Sequence, residues 1–182
     1  WSQGVSMFGN PFTQASVMPG TTWTSSFEGR SVVVMDIAYT TANGEATVIG
    51  CNGTCPEILV IPPTLGGNPV TEISDAAFFS GQPTDVNLTS VTFPETLEII
   101  GAYAFDRNAL TSLDIPDAVT SIGEGAFWDN NIQSLDLGES LVTIAAFAFV
   151  YNDITAVTIP NSVTRISHSA FEGNLITTLT LG

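Results

Sequence analysis

Four phenylalanines stand 22 residues apart: Phe105, Phe127, Phe149 and Phe171. Each follows an alanine (Ala104, Ala126, Ala148, Ala170), and three positions later comes an asparagine (Asn108, Asn130, Asn152, Asn174). Aliphatic columns keep the same register: Leu110, Ile132, Ile154 and Ile176; Leu113, Leu135, Val157 and Leu179; Ile115, Leu137, Ile159 and Leu181. A chain-turning residue follows (Pro116, Gly138, Pro160, Gly182), then Val119, Leu141 and Val163, then Ile122, Ile144 and Ile166. Self-similarity at a fixed period of this length is the mark of a solenoid. One unit cannot bury its own apolar face, so several must stack.

Within a unit, Leu113-x-Ile115 and its equivalents alternate apolar and polar side chains before the turn, which predicts a short strand with two inward residues. Stacked units would set these strands about 4.8 Å apart, giving a parallel β ladder with one short strand per coil. The Asn column has a physical reason. A primary amide both donates and accepts, so at a tight turn it can satisfy backbone groups of neighbouring coils that would otherwise be buried unpaired. The Ala-Phe column suits a narrow place followed by a large core filler.

The segments LTSLDIPDAVTSIGEGAF (Leu110–Phe127) and ITAVTIPNSVTRISHSAF (Ile154–Phe171) resemble the BspA-like, or Treponema pallidum type, leucine-rich repeats. The resemblance runs from about Ile58 to Gly182, with the Leu137-Gly138 unit departing from it in lacking proline. It implies a leucine-rich repeat solenoid and an extracellular or surface-attached module that binds other molecules without catalysing a reaction.

The rest of the chain reads as additions to that stack. Residues 1–27 carry no charge but hold Met7, Phe8, Phe12 and Trp23. Linkers are ordinarily charged and poor in aromatics, which suggests an arm that packs on its own solenoid or on a second chain; the alternative is a poorly ordered terminus. Residues 28–57 read as a terminal cap. Ser31–Tyr39 is a strand run, Asn43-Gly44 a hairpin turn and Ala46–Ile49 the return strand. Cys51 and Cys55, the only cysteines, are expected to form a disulfide that staples this cap. Asn52-Gly53-Thr54 and Asn87-Leu88-Thr89 are formal glycosylation sequons. The solenoid occupies 58–182, with two insertions of about five residues near Gly66–Val70 and Ser80–Asp85, which belong on loops.

Eighteen acidic residues against three arginines (Arg30, Arg107, Arg165) and no lysine give a net charge of −15. Such a surface repels nucleic acid and anionic membrane, whose phosphates need Lys and Arg. No apolar run approaches the ~20 residues that cross a bilayer. The chain opens at Trp1, as after removal of a signal peptide, and stops within a strand at Leu179–Gly182. The last coil is thus left uncapped, to be covered by further chain or by a second molecule.

The outward strand positions are Thr89, Ser90 and Thr92; Thr111, Ser112 and Asp114; Gln133, Ser134 and Asp136; Thr155, Ala156 and Thr158; Thr177, Thr178 and Thr180. Small hydroxylated side chains suit exposed strands, and the same face can serve a partner or a glycan. Ranks of threonine also suggest ice binding, but Asp114 and Asp136 interrupt them. These two should stack on adjacent coils as a weak Ca²⁺ candidate, short of the six to eight oxygens calcium takes. Trp128 and Tyr151, each just after a column Phe, could form a shared aromatic patch, or pack under their own loops; Tyr103 also lies outside the Phe column, and Trp23 is a further candidate aromatic contact. The single histidine, His168, occupies a slot held by Glu124 and Ala146 in other coils. No nucleophile motif, phosphate loop or metal framework is present, so no catalytic residue and no cofactor is expected.

The expected function is adhesion or self-assembly outside the cell, on a protein partner, a surface, a glycan or copies of itself. Head-to-tail filaments could join the arm residues Met7, Phe8 and Phe12 to Leu179 and Leu181 of the last coil. The alternative is a non-catalytic binding module of a larger secreted enzyme or adhesin.

Overall fold

The computed structural model describes residues 23–27, 30–34, 37–81 and 87–182. The arm residues Met7, Phe8 and Phe12 lie outside the described residues, as does the side chain of Trp23. All regular structure among the described residues is strand.

Each regular coil carries two short strands. The first series is β5 (Ile58–Val60), β8 (Ser90–Thr92), β10 (Ser112–Asp114), β12 (Ser134–Asp136), β14 (Ala156–Ile159) and β16 (Thr178–Leu181). These are the strands that alternation predicts. The second series, β7 (Asn68–Ile73), β9 (Ile99–Ile100), β11 (Ser121–Ile122), β13 (Thr143–Ile144) and β15 (Arg165–Ile166), joins into one continuous parallel ladder. Most of these strands are two residues long. That is too short to show any alternation, so pairing with the neighbouring coil is what makes them strands.

Before the stack lie β1 (Trp23–Phe27), β2 (Arg30–Val34), β3 (Ile37–Ala42) and β4 (Glu45–Cys51). The run Ser31–Tyr39 supplies two strands with different partners: β2 pairs antiparallel with β1, and β3 with β4. The boundary drawn at residue 27 therefore falls between the paired strands β1 and β2. Beyond the Asn43-Gly44 turn, β4 lies parallel to β7, placing Ala46 and Val48 in the core. The β3–β4 hairpin thus covers the first edge of the second ladder, the kind of edge that otherwise invites pairing with another chain. Cys51 and Cys55 are joined in a disulfide with 5.6 Å between Cα atoms. The insertion near Gly66–Val70 is a small hairpin of β6 (Thr64–Leu65) against β7, turning at Gly66-Gly67, both at positive φ.

The interior is a set of columns. The rings of Phe78, Phe105, Phe127, Phe149 and Phe171 stack in sequence, with centroids 5.2–5.4 Å apart and the last three pairs within 9° of parallel. Phe105, Phe127 and Phe149 are fully buried. Beside them each Asn amide ties its coil to the one before. Asn152 Oδ1 accepts from Ile132 N–H at 3.0 Å, while its Nδ2 donates to the Phe127 carbonyl at 2.9 Å. Asn108, Asn130 and Asn174 repeat both bonds one period apart. The turns after the Ala column are also laddered, with Phe105, Phe127 and Phe149 N–H donating to Ala126, Ala148 and Ala170 carbonyls at 2.8 Å. At the proline-lacking turn, a Cβ on Gly138 would collide with the Pro116 carbonyl, so glycine permits a closer approach there.

Removing the Asn152 amide leaves two buried backbone groups unpaired at about 1–3 kcal/mol each. Asn152→Ala is accordingly expected to lower stability by about 2–6 kcal/mol in urea unfolding. Asn174→Ala, in the partly exposed last coil, should cost clearly less.

Candidate interaction surfaces

Where the strands pair, the expected outward positions within them are aligned from coil to coil. Register places Ser112 beside Ser134 and Asp114 beside Asp136, then Ala156 beside Thr178 and Thr158 beside Thr180. Thr89, Thr92, Thr111, Thr155, Thr158, Thr177 and Thr180 are exposed. Sequence reasoning missed the head of this face, where β5 exposes Ile58 (64%) and Val60 (54%) in register with Ser90 and Thr92.

The hydrogen-bonded ladder on this face is not continuous. It comes as three pairs: β5 with β8, β10 with β12, and β14 with β16. At the break between β12 and β14 lies a shallow depression of about 300 Å³, lined by Gln133, Ser134, Leu135, Ala156, Thr158 and Thr178 among others. Leu135 is only half-buried there, whereas its column neighbours Leu113 and Val157 are each 4% exposed. Asp114 and Asp136 are in register and exposed, and no third His, Cys, Asp or Glu completes a metal-binding group with them among the described residues.

A second surface runs along the turns on either side of the Phe column. Trp128 stacks on Phe147 with centroids 5.6 Å apart and lies 6.4 Å from Tyr151, the two rings tilted by 56°. Phe147 meets His168 edge-on at 4.8 Å. Tyr103 joins at the other end, sharing with Trp128 the space over Gly125, and its hydroxyl donates to Glu124 at 2.6 Å. Tyr103, Phe147 and Tyr151, with Arg107, Asp129 and Ser169, have positive φ near 55–60°. That conformation costs a non-glycine residue of order 1–2 kcal/mol. Glycine fills the same two columns at Gly125 and Gly173, where a Cβ would strike the rings of Tyr103 and Tyr151. Each ring therefore covers the glycine of the next coil.

Asp106 is 7% exposed and its Oδ1 is buried without a hydrogen-bond partner. Burial raises its carboxyl above the usual range; Arg107 opposes that shift and Asp129 adds to it. The Tyr103 hydroxyl is likewise raised, first by its bond to Glu124, then by burial and by the charges of Glu124 and Asp106.

The stacked columns correspond to a known repeat. The family model described as BspA type leucine rich repeat region matches six copies over residues 71–182. The chain belongs to the BspA-type leucine-rich repeat family. A leucine-rich repeat protein of Bacteroides ovatus is 30% identical with a TM-score of 0.65, over 82% of this chain and 40% of that one. A leucine-rich repeat protein of Bacteroides capillosus, 23% identical with a TM-score of 0.53, matches over 83% of this chain and 97% of that one and bears on the fold alone. No curated protein matches the chain.

On this BspA-type frame the structure brings Trp128 and Tyr151 together, and adds Phe147 and His168, which sequence reasoning left out. The missing signal is the positive-φ column. Tyr103, Gly125, Phe147 and Ser169 share a register but no chemistry.

Because the folded chain holds the Asp106 proton to higher pH than the unfolded chain does, stability from this group is present below pH 3.8 and lost as pH rises through the folded value. Asp106→Asn is therefore expected to melt at a higher temperature than the parent at neutral pH, and the advantage should shrink as the pH falls through the folded value and be gone below 3.8. Calorimetric melts across pH check both.

Proposed function

We propose that this BspA-type chain is a non-catalytic interaction module displayed outside the cell, contacting a protein partner through the solvent side of β8, β10, β12, β14 and β16. The observation that carries the reading is the depression at the β12–β14 break, where the half-buried Leu135 sits among short hydroxyl side chains. Burying Ser, Thr and Ala costs little side-chain entropy compared with Lys, Arg or Glu. The face lacks the Trp, Tyr and Arg anchors of tight interfaces, so contact must spread over several coils, as adhesion through many weak contacts does. Display outside the cell draws on the family resemblance and on a disulfide that persists in an oxidising compartment.

A second reading, self-association, draws on Leu175, Leu179 and Leu181, exposed at 61%, 61% and 72% on the open side of the last coil. A further coil would cover the same surface, so this reading stands second.

Binding to arrays of immobilised extracellular proteins and glycans tests the first reading. Saturable binding to a protein, weakened at least about tenfold by Ser134→Arg with Thr158→Arg, is expected. Binding indifferent to that pair, or confined to glycans, contradicts it. For the second reading, analytical ultracentrifugation should show association that Leu179→Asp with Leu181→Asp abolishes; a monomer at every concentration removes it.

A further inference from the structure

The aromatic ridge is built from residues other than those of the proposed contact face and has its own chemistry. Trp128, half-buried and stacked on Phe147, and Tyr151, 56% exposed, have centroids 6.4 Å apart and rings tilted by 56°, making a notch between them. A cation seated over the notch can lie within the roughly 6 Å of both ring centroids at which the aromatic quadrupole attracts it.

The chain already builds this arrangement once. In the coil pair before, the Arg107 guanidinium stands 5.9 Å from the Phe79 ring centroid. Phe79 and Trp128 each directly follow a column phenylalanine, Phe78 and Phe127. Arg107 and Tyr151 both sit in the second positive-φ column, one coil on from those rings. Where Arg107 supplies a cation over Phe79, Tyr151 supplies only another ring over Trp128.

Charge points the same way. Glu124 accepts from Tyr103 at one end of the ridge, Asp129 directly follows Trp128, and Asp106 is close enough to Tyr103, Arg107 and Asp129 for its charge to act on them. Among the described residues, Arg107 and His168 are the two basic side chains along these turns, in a chain of net charge −15. A neutral glycan would gain the ring faces but have no use for the carboxylates. An anionic surface would be repelled by them.

We infer that the Trp128–Tyr151 notch with its flanking carboxylates binds cationic side chains, those of an arginine- or lysine-bearing segment of another protein. The ring faces supply selectivity for a weakly hydrated cation such as guanidinium, and the carboxylates supply attraction from a distance.

The test is calorimetric titration of the full chain with hexa-arginine at low and high salt. Saturable binding is expected, weaker but still measurable at high salt. Tyr151→Asn removes no charge, suits positive φ and alters an exposed side chain, so the fold should stand. It is expected to weaken binding roughly two- to thirtyfold, as is Trp128→Leu. Asp114→Asn with Asp136→Asn removes two charges from the strand face and should weaken binding less than Tyr151→Asn does. The proposal is overturned if hexa-arginine does not bind saturably, or if Tyr151→Asn binds as tightly as the parent. It is equally overturned if the strand-face pair weakens binding more, which would show general acidity at work, or if a neutral oligosaccharide binds through Trp128 in place of the peptide. Ser134→Arg with Thr158→Arg should leave the Tyr151→Asn effect intact, so failure here and failure of the strand-face reading are separable.

Discussion

A coil of 22 residues is too narrow to pair its own backbone groups, and the asparagine amide is what makes such a coil buriable. Asn130 illustrates the point: its oxygen takes the N–H of Leu110, and its nitrogen serves the carbonyls of Phe105 and Trp128. The two cross-coil bonds reach groups 20 and 25 residues back, so no coil is satisfied until its successor is in place. The phenylalanine stack follows from the same constraint. Once the amides set the coil spacing, identical rings at identical positions must lie face over face, and they do so at 5.2–5.4 Å. Stability is then a nearest-neighbour property, strongest in the middle of the array and weakest at its ends.

That arrangement frees the outside. Identity is demanded of the inward columns only, and the outward positions vary from Asp114 to Thr158 along one strand column and from Tyr103 to Ser169 along one turn column. The two surfaces differ in kind. The strand face is flat, hydroxylated and cheap to order on contact. The turn ridge is aromatic and acidic, and it carries bulky residues in a backbone conformation that glycine would hold with less strain. The covering of Gly125 by Tyr103 and of Gly173 by Tyr151 recovers part of that cost as packing.

The inward columns were legible in the sequence because periodicity reports burial directly: Phe127, Asn130 and Leu113 each repeat in type as well as position. The second ladder was not legible. Ser121-Ile122 and Thr143-Ile144 are too short to alternate, and their strand character comes from the coil next door. Nor could alternation show that β12 and β14 fail to pair, since both carry the same apolar spacing as their paired neighbours. The ridge was half legible. Trp128 and Tyr151 stand one period and one residue apart, which places them side by side. Phe147 follows from a positive φ that leaves no trace in residue type, and His168 from its edge-on contact with that ring.

The account rests on amide bonds between coils, and native-state hydrogen exchange at the bonded N–H groups reads them most directly. Leu110 and Ile132 N–H, held by Asn130 and Asn152 in interior coils, should exchange only with global unfolding. Ile154 N–H, held by Asn174 of the last described coil, should exchange measurably faster. Rapid exchange at Leu110 and Ile132, on the scale of exposed turn amides, would contradict the stacked-coil account.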